Sequence, residues 1–328
     1  MDTIHYLYKI GKITIFQTIR YKRILHIYQD YKTTQSIIND PNLTQKVDTL
    51  CQGLDSASRA IVARILPRLR TLYNNKQQTY SLLSQEEINE LARIRAEFYA
   101  RIYEIAPNLY CYNGYFFSTY FFEVSVLWHK HNLSIFSPST LQAMKEKDII
   151  DVGACIGDSS LVFQDFTNNN IYAFEPTNDN YNHLLQTISL NNTTRIIPVK
   201  KALGATAHQA QISIKGGASS IVFDNHTTSH SIEVITLDSF VQSHNLKIGF
   251  IKVDIEGFEQ EFLKGAKQTI CTQKPAMLIS IYHTADDFFL IKPMIDSWNL
   301  GYTFKIIKPI DFSVLSETAL YCEVQSKN

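Results

Sequence analysis

The sequence predicts an α/β protein, a mostly parallel, doubly wound sheet preceded by a helical N-terminal region. From residue 148 on, short apolar runs at 149–152, 171–174, 196–199, 248–253, 277–281 and 302–307 alternate with helix-like segments. That is the texture of a parallel sheet covered on both faces. The first run leads straight into a turn with Gly153 and Gly157, and Asp158, Ser159 and Ser160 then open an apolar helix start. Upstream the periodicity is helical instead. Ser84 and Glu87 form a capping-box pair, and apolar residues follow at Ile88, Leu91, Ile94, Phe98, Ile102 and Ile105 until Pro107-Asn108 stops the pattern.

Taken in order, residues 1–110 read as a helical region, 111–147 as an aromatic-rich connecting segment and 148–328 as the α/β domain. The N-terminus mixes apolar residues with Lys9, Lys12, Arg20, Lys22 and Arg23 and has no signal-peptide core. It either docks on its own domain or lies on an anionic membrane surface as a basic amphipathic segment. Ile61, Ile65, Leu69 and Leu72 mark a further helix, which Pro67 should kink or divide. Tyr110, Tyr112, Tyr115, Phe116, Phe117, Tyr120, Phe121, Phe122 and Trp128 then make either the wall of a substrate pocket or the seam between the two regions. Two short runs, at 211–214 and 232–235, fall between the third and fourth main strands as insertions or crossing strands.

Composition narrows the function. The chain has 328 residues, 45% of them hydrophobic, enough for a large core. Lys+Arg and Asp+Glu are both 31, without the basic excess that phosphate-backbone binding produces, so nucleic acid is not the expected partner. The five cysteines are scattered with no C-x-x-C pair, which points to a reduced, cytoplasmic compartment and neither a disulfide framework nor a cysteine zinc site. His129-Lys130-His131 reads as an ordinary surface or packing feature. No stretch approaches the ~18 apolar residues of a membrane span.

In such a sheet, ligands bind beyond the carboxyl ends of the strands. Glu175 ends the second run, 24 residues after Asp151, where a carboxylate can accept the vicinal hydroxyls of a ribose. A nicotinamide cofactor usually brings G-x-G-x-x-G. Here an acid precedes two glycines with three residues between them, which favours S-adenosylmethionine, whose ammonium an acid can meet and which needs no phosphate cradle.

At this point the sequence resembles the FkbM-type S-adenosylmethionine-dependent methyltransferases. The matching stretches are DVGACIGD at 151–158, AFEP at 173–176, VITLD at 234–238 and, most specific, IKVDIEGFE at 251–259. Cys155 stands where the family often has asparagine. The resemblance implies a Rossmann-like methyltransferase sheet and methyl transfer to a hydroxyl of a sugar, another small metabolite or a glycan. It also implies roles for particular residues. Asp151, Gly153, Ala154 and Gly157 hold the amino-acid end of the cofactor, with Asp158 and Ser159 helping from the helix start and Glu175 on the ribose. Ser219 and Ser220 fall near the adenine. Asp254 and Glu256 follow the fourth strand beside the methyl group. One is the base and the other orients substrate, or both hold a divalent metal. Glu256 has the alternative of capping the next helix. His283, with Tyr282, faces the same region for substrate contact or proton relay. A non-catalytic cofactor-binding module is the alternative from outside enzymology.

Overall fold

A computed structural model describes residues 2–10, 13–21, 31–75, 82–215, 218–220 and 229–324. Its centre is a seven-stranded sheet built from the predicted runs. In chain order these are β1 (Asp148–Val152), β2 (Ile171–Phe174), β3 (Ile196–Val199), β4 (Ile248–Val253), β5 (Ala276–Ser280), β6 (Thr303–Ile307) and β7 (Ala319–Glu323). The spatial order is β6-β7-β5-β4-β1-β2-β3, with every pairing parallel except those of β7. The order reverses at β1 and β4, whose adjacent carboxyl ends form the crevice in which such sheets bind ligands. The strand β7 is the one the sequence reading omitted. Its Ala319, Leu320, Tyr321 and Cys322 make a short apolar run, and antiparallel insertion between β5 and β6 needs only a loop from β6.

The sheet's helices include α1 (Asp158–Phe163) after β1, α2 (Asn178–Leu190) after β2, α3 (Leu237–His244) before β4, α4 (Glu259–Gly265) and α5 (Lys267–Gln273) after β4, and α6 (Ala285–Asp296) after β5. The two extra runs between the third and fourth strands lie in a separate four-stranded sheet.

The N-terminal region contains the helices Tyr31–Ile38, Leu43–Cys51, Ser56–Asn75 and Gln85–Arg93. The helix Ser56–Asn75 runs on past Pro67 without dividing. The capping box is present. Ser84 Oγ accepts from Glu87 N at 3.2 Å and Glu87 Oε2 accepts from Ser84 N at 2.7 Å, while Arg68 holds both Glu87 oxygens at 2.7 Å.

The structure departs from the helical expectation in two places. Asp2–Ile10 and Ile13–Tyr21 pair as antiparallel strands, because Ile4, Tyr6, Tyr8, Ile10 and Ile13, Ile15, Ile19, Tyr21 alternate with period two and are mostly β-branched or aromatic. The basic side chains on which membrane contact would rest lie outside the described residues. The Ser84 helix also stops short. Helical turns reach Arg101, and Tyr103–Ala106 is then a strand that turns at Asn108, whose φ is +56°, to pair with Leu109–Tyr112.

The aromatic segment is a seam. Tyr112, Phe117 and Phe122 are buried, with Phe98–Tyr112 and Phe117–Phe122 packed edge to face at 4.8 and 5.3 Å. Asn191, at the end of α2, accepts from Phe116 N at 2.9 Å and donates to Phe116 O at 2.8 Å. One apolar core runs from Ile37 through this seam to Cys322. Among the described residues no helix is long and apolar enough to cross a membrane.

Candidate active site

The predicted residues converge at the carboxyl ends of β1, β2, β4 and β5, and a buried lysine lies at their centre. Lys252 is on β4 with its ammonium 3.3 Å from Asp151 Oδ1 and donating to Gly153 O at 2.7 Å. Burial works against its charge, but Asp151, Asp254 and Asp158 outweigh that and raise its pKa. The other oxygen of Asp151 accepts from Ser160 Oγ at 2.6 Å, so this fully buried carboxylate is engaged by the protein itself. Sequence reasoning quoted Lys252 within a motif and gave it no role. A lysine inside an otherwise apolar strand was the available signal.

The glycines are needed for packing. A Cβ on Gly153 would lie 1.9 Å from Asp254 O, and φ there is +78°; one on Gly157 would meet Leu184 Cδ1 at 2.6 Å. The turn's amides are used internally. Gly153 N and Ala154 N donate to Phe174 O, and Cys155 N donates to Glu175 Oε2 at 3.1 Å. Glu175 Oε1 accepts from Thr177 N and Oγ1 at 2.9 and 2.6 Å, and burial raises its pKa.

Asp158 opens α1. Its Oδ1 accepts from Ser159 N at 2.9 Å, its buried Oδ2 has no hydrogen-bond partner, and burial lifts its pKa to about 6. Ser159 Oγ meets His131 Nε2 at 2.9 Å. His131 is no surface residue. It is buried, its ring lies 5.3 Å from Phe163, and desolvation drops its pKa to about 3, so it is neutral. Lys130, His131 and Asn132 carry φ of +48°, +52° and +48°, a strained run held against the site.

The β4 strand ends at Val253, so strand alternation does not align Asp254 with Glu256. Glu256 and Gly257 instead take left-handed φ values of +57° and +96°, and the chain turns there. Both carboxylates nevertheless reach one imidazole. His283 Nε2 lies 3.3 Å from Asp254 Oδ1 and 3.7 Å from Glu256 Oε2, and His283 Nδ1 meets Glu259 Oε1 at 2.8 Å. Burial opposes the charge on His283, but Glu259, Asp254 and Glu256 raise its pKa to about 10. It is therefore an imidazolium at neutral pH, suited to orienting acids rather than to taking a proton. Glu256 does not cap the following helix. Glu259 Oε1 accepts from Ile255 N at 2.9 Å instead.

Asp254, Glu259 and His283 approach closely enough to share a cation. With Nδ1 bonded to Glu259 and the ring charged, however, the imidazole has no lone pair to offer a metal, and its charge is spent on the acids around it. Burial raises the Asp254 pKa and Lys252 and His283 lower it, with a net lowering that keeps Asp254 ionised.

Two acids absent from the sequence reading complete the site. Burial, followed by Glu317, Asp158 and Asp254, raises the Glu123 pKa well above its usual value. Burial and Asp254 bring Glu317 to about 7. Tyr282 Oη lies 3.3 Å from Asp254 Oδ1 and 3.1 Å from Glu317 Oε1. The side chains of Ser219 and Ser220 lie outside the described residues.

Residues 151–304, just under half of the chain, match the family described as the methyltransferase FkbM domain. Among curated proteins, the hexuronic acid methyltransferase AglP of Haloferax volcanii is 30% identical over 128 residues, covering 38% of this chain and 52% of that protein. The chain thus spans about half the length of the curated relative it matches. The crystal structure of a methyltransferase FkbM from Methylobacillus flagellatus KT superposes with a TM-score of 0.57 at 20% identity, covering 89% of this chain and 62% of that one. The shared architecture is the Rossmann-like methyltransferase sheet, as expected from the sequence.

Proposed function

We propose that the protein is an S-adenosylmethionine-dependent O-methyltransferase acting on a hydroxyl of a sugar or a sugar-bearing acceptor. The observation that carries the reading is the excess of acid around the switch point, with Asp158 buried and Asp254, Glu123 and Glu317 half-buried. After Asp151 is matched to Lys252 and Glu259 to His283, Asp158, Asp254, Glu123 and Glu317 remain, with one Asp158 oxygen unpartnered. Acids crowded this way raise one another's pKa and are relieved by a proton or by an arriving cation. When bound, S-adenosylmethionine supplies an ammonium, a sulfonium and the methyl group that a nucleophilic oxygen displaces. The residues fit it. Asp158 would meet the ammonium, Glu175 the ribose, and the turn at Gly153, Ala154 and Gly157 would border it, while Asp151 and Ser159 act from behind by holding Lys252 and His131.

Asp254, ionised at the end of β4, is the assigned general base. Glu256 and the His283 imidazolium orient it. Alignment of the acceptor can contribute up to ~7–11 kcal/mol and a base roughly 10²- to 10⁴-fold in rate, so positioning dominates. The sugar-type acceptor is supported by the name of the Haloferax relative, which matches only part of this chain.

Isothermal titration with S-adenosylmethionine tests the donor. Binding should be seen in the parent and in Asp254→Asn and be lost or weakened in Glu175→Ala. Transfer of labelled methyl into carbohydrate of a cell extract should fall roughly 10²- to 10⁴-fold in Asp254→Asn. No donor binding by the parent, or undiminished transfer by Asp254→Asn, would overturn the corresponding half of the reading.

A further inference from the structure

We propose that Glu317, Tyr282 and Asp254 form a proton relay in which Glu317 finally holds the proton released by the acceptor hydroxyl. The source of that proton rests on the methyl-transfer reading above. The relay itself rests on a count of hydrogens. A phenol has one hydrogen and an ionised carboxylate has none. Tyr282 Oη nonetheless contacts two carboxylates, Asp254 Oδ1 at 3.3 Å and Glu317 Oε1 at 3.1 Å. With both acids ionised, one of these contacts has no hydrogen in it. A single added proton completes the chain, because the phenol oxygen accepts from one carboxyl and donates to the other. The two arrangements of that proton interconvert by hydrogen hops with no heavy-atom rearrangement. The vacant place in the chain is the place for the acceptor's proton.

The step balances. The acceptor oxygen's new bond to the methyl carbon replaces that carbon's bond to sulfur, sulfur keeps the bonding pair, and the hydroxyl proton leaves to Asp254. Asp254 then donates to the Tyr282 oxygen as the Tyr282 hydrogen passes to Glu317. The surroundings favour this direction. Asp254 faces the cations Lys252 and His283, which hold it ionised. Glu317 faces Asp254, Tyr282, Glu123, Asp311 and Tyr321, with the Lys308 cation and the buried Ser125 hydroxyl opposing them. Burial and these acids place its titration near 7. The backbone supports the assignment independently. Glu317 has φ +63°, a left-handed conformation that costs a non-glycine residue and that surrounding structure must hold. From the sequence, Tyr282 is a candidate for substrate contact or proton relay, and Glu317 has no assigned role.

Difference infrared titration of the full chain, without donor or acceptor, reads the relay directly. Beside the bands of Asp158, near 6, and of Glu123, the parent should show a protonated-carboxyl band with a midpoint near 7, and Glu317→Gln should lack that band alone. Asp254→Asn removes a neighbouring negative charge and should lower the midpoint by about one unit. Tyr282→Phe should keep the band but shift its frequency, because the phenol is its hydrogen-bond partner. Glu317→Asp guards against a misfolded Gln variant and should give a titrating band displaced from the parent's. A midpoint-near-7 band that persists unchanged in Glu317→Gln, matches the parent's in Glu317→Asp, or is untouched by both Tyr282→Phe and Asp254→Asn would overturn the relay. Calorimetry with S-adenosylmethionine on the same samples separates the two ideas. Absent donor binding beside the expected bands sinks the methyl-transfer reading alone, and donor binding without the bands sinks the relay alone.

Discussion

The charge on His283 ties the site to the stability of the fold. Its pKa rises from 6.5 to about 10 in the folded chain, since Glu259, Asp254 and Glu256 outweigh the cost of burial. The folded state therefore binds this proton more tightly than the unfolded one. The resulting stabilisation is complete below pH 6.5 and is lost as pH rises through about 10. Denaturant unfolding across that interval should show the parent losing stability while His283→Gln, less stable at neutral pH, shows a flatter profile. Parallel profiles would mean the imidazolium is not held as described. His283 and Asp254 were visible in the sequence because both directly follow apolar runs. Glu123 and Glu317 were not, because nothing local separates an acid that a loop folds inward from one left in solvent.

At the scale of elements, the ends of β1 and β4 touch where Gly153 passes the Asp254 carbonyl. A methyl group there would be 1.9 Å from that oxygen, on a backbone with φ +78°. Gly153→Ala should force the two strand ends apart, lowering stability by about 1–3 kcal/mol and weakening donor binding together. Thermal unfolding and calorimetry on one preparation check this, and intact donor binding in a destabilised variant would separate the turn from the cofactor. The sequence marked this turn correctly and explained it incompletely. A glycine signals that a Cβ is excluded but not by what, and here it is the neighbouring strand's backbone and, at Gly157, Leu184. The run-on of the Ser84 helix into Tyr103–Ala106 has a similar origin. Ile102 and Ile105 keep a helical spacing that pairing with Leu109–Tyr112 overrides.

Across the whole molecule, the N-terminal helices act as part of the α/β core. Thr33 Oγ1 donates to His283 O at 2.8 Å, Ile306 N donates to Ser58 Oγ at 2.9 Å, and the buried ammonium of Lys292 on α6 donates to Gln52 O. One apolar core joins Ile37, Leu50, Ile65 and Leu69 to Phe288, Phe304 and Leu320. The full chain should thus unfold in one cooperative calorimetric transition, and a chain starting at residue 111 should fail to fold stably, since it would expose that shared surface. Two separated transitions would contradict a common core. By itself the sequence determined the parallel part of the sheet, the turn after its first strand and the resemblance to the FkbM methyltransferase domain, because strand periodicity, glycine spacing and the IKVDIEGFE stretch are local properties of the chain. The tertiary structure alone decided what each charge faces. Lys252 meets Asp151, His283 meets three acids and Tyr282 bridges Asp254 to Glu317, because burial and the approach of distant segments set those energies.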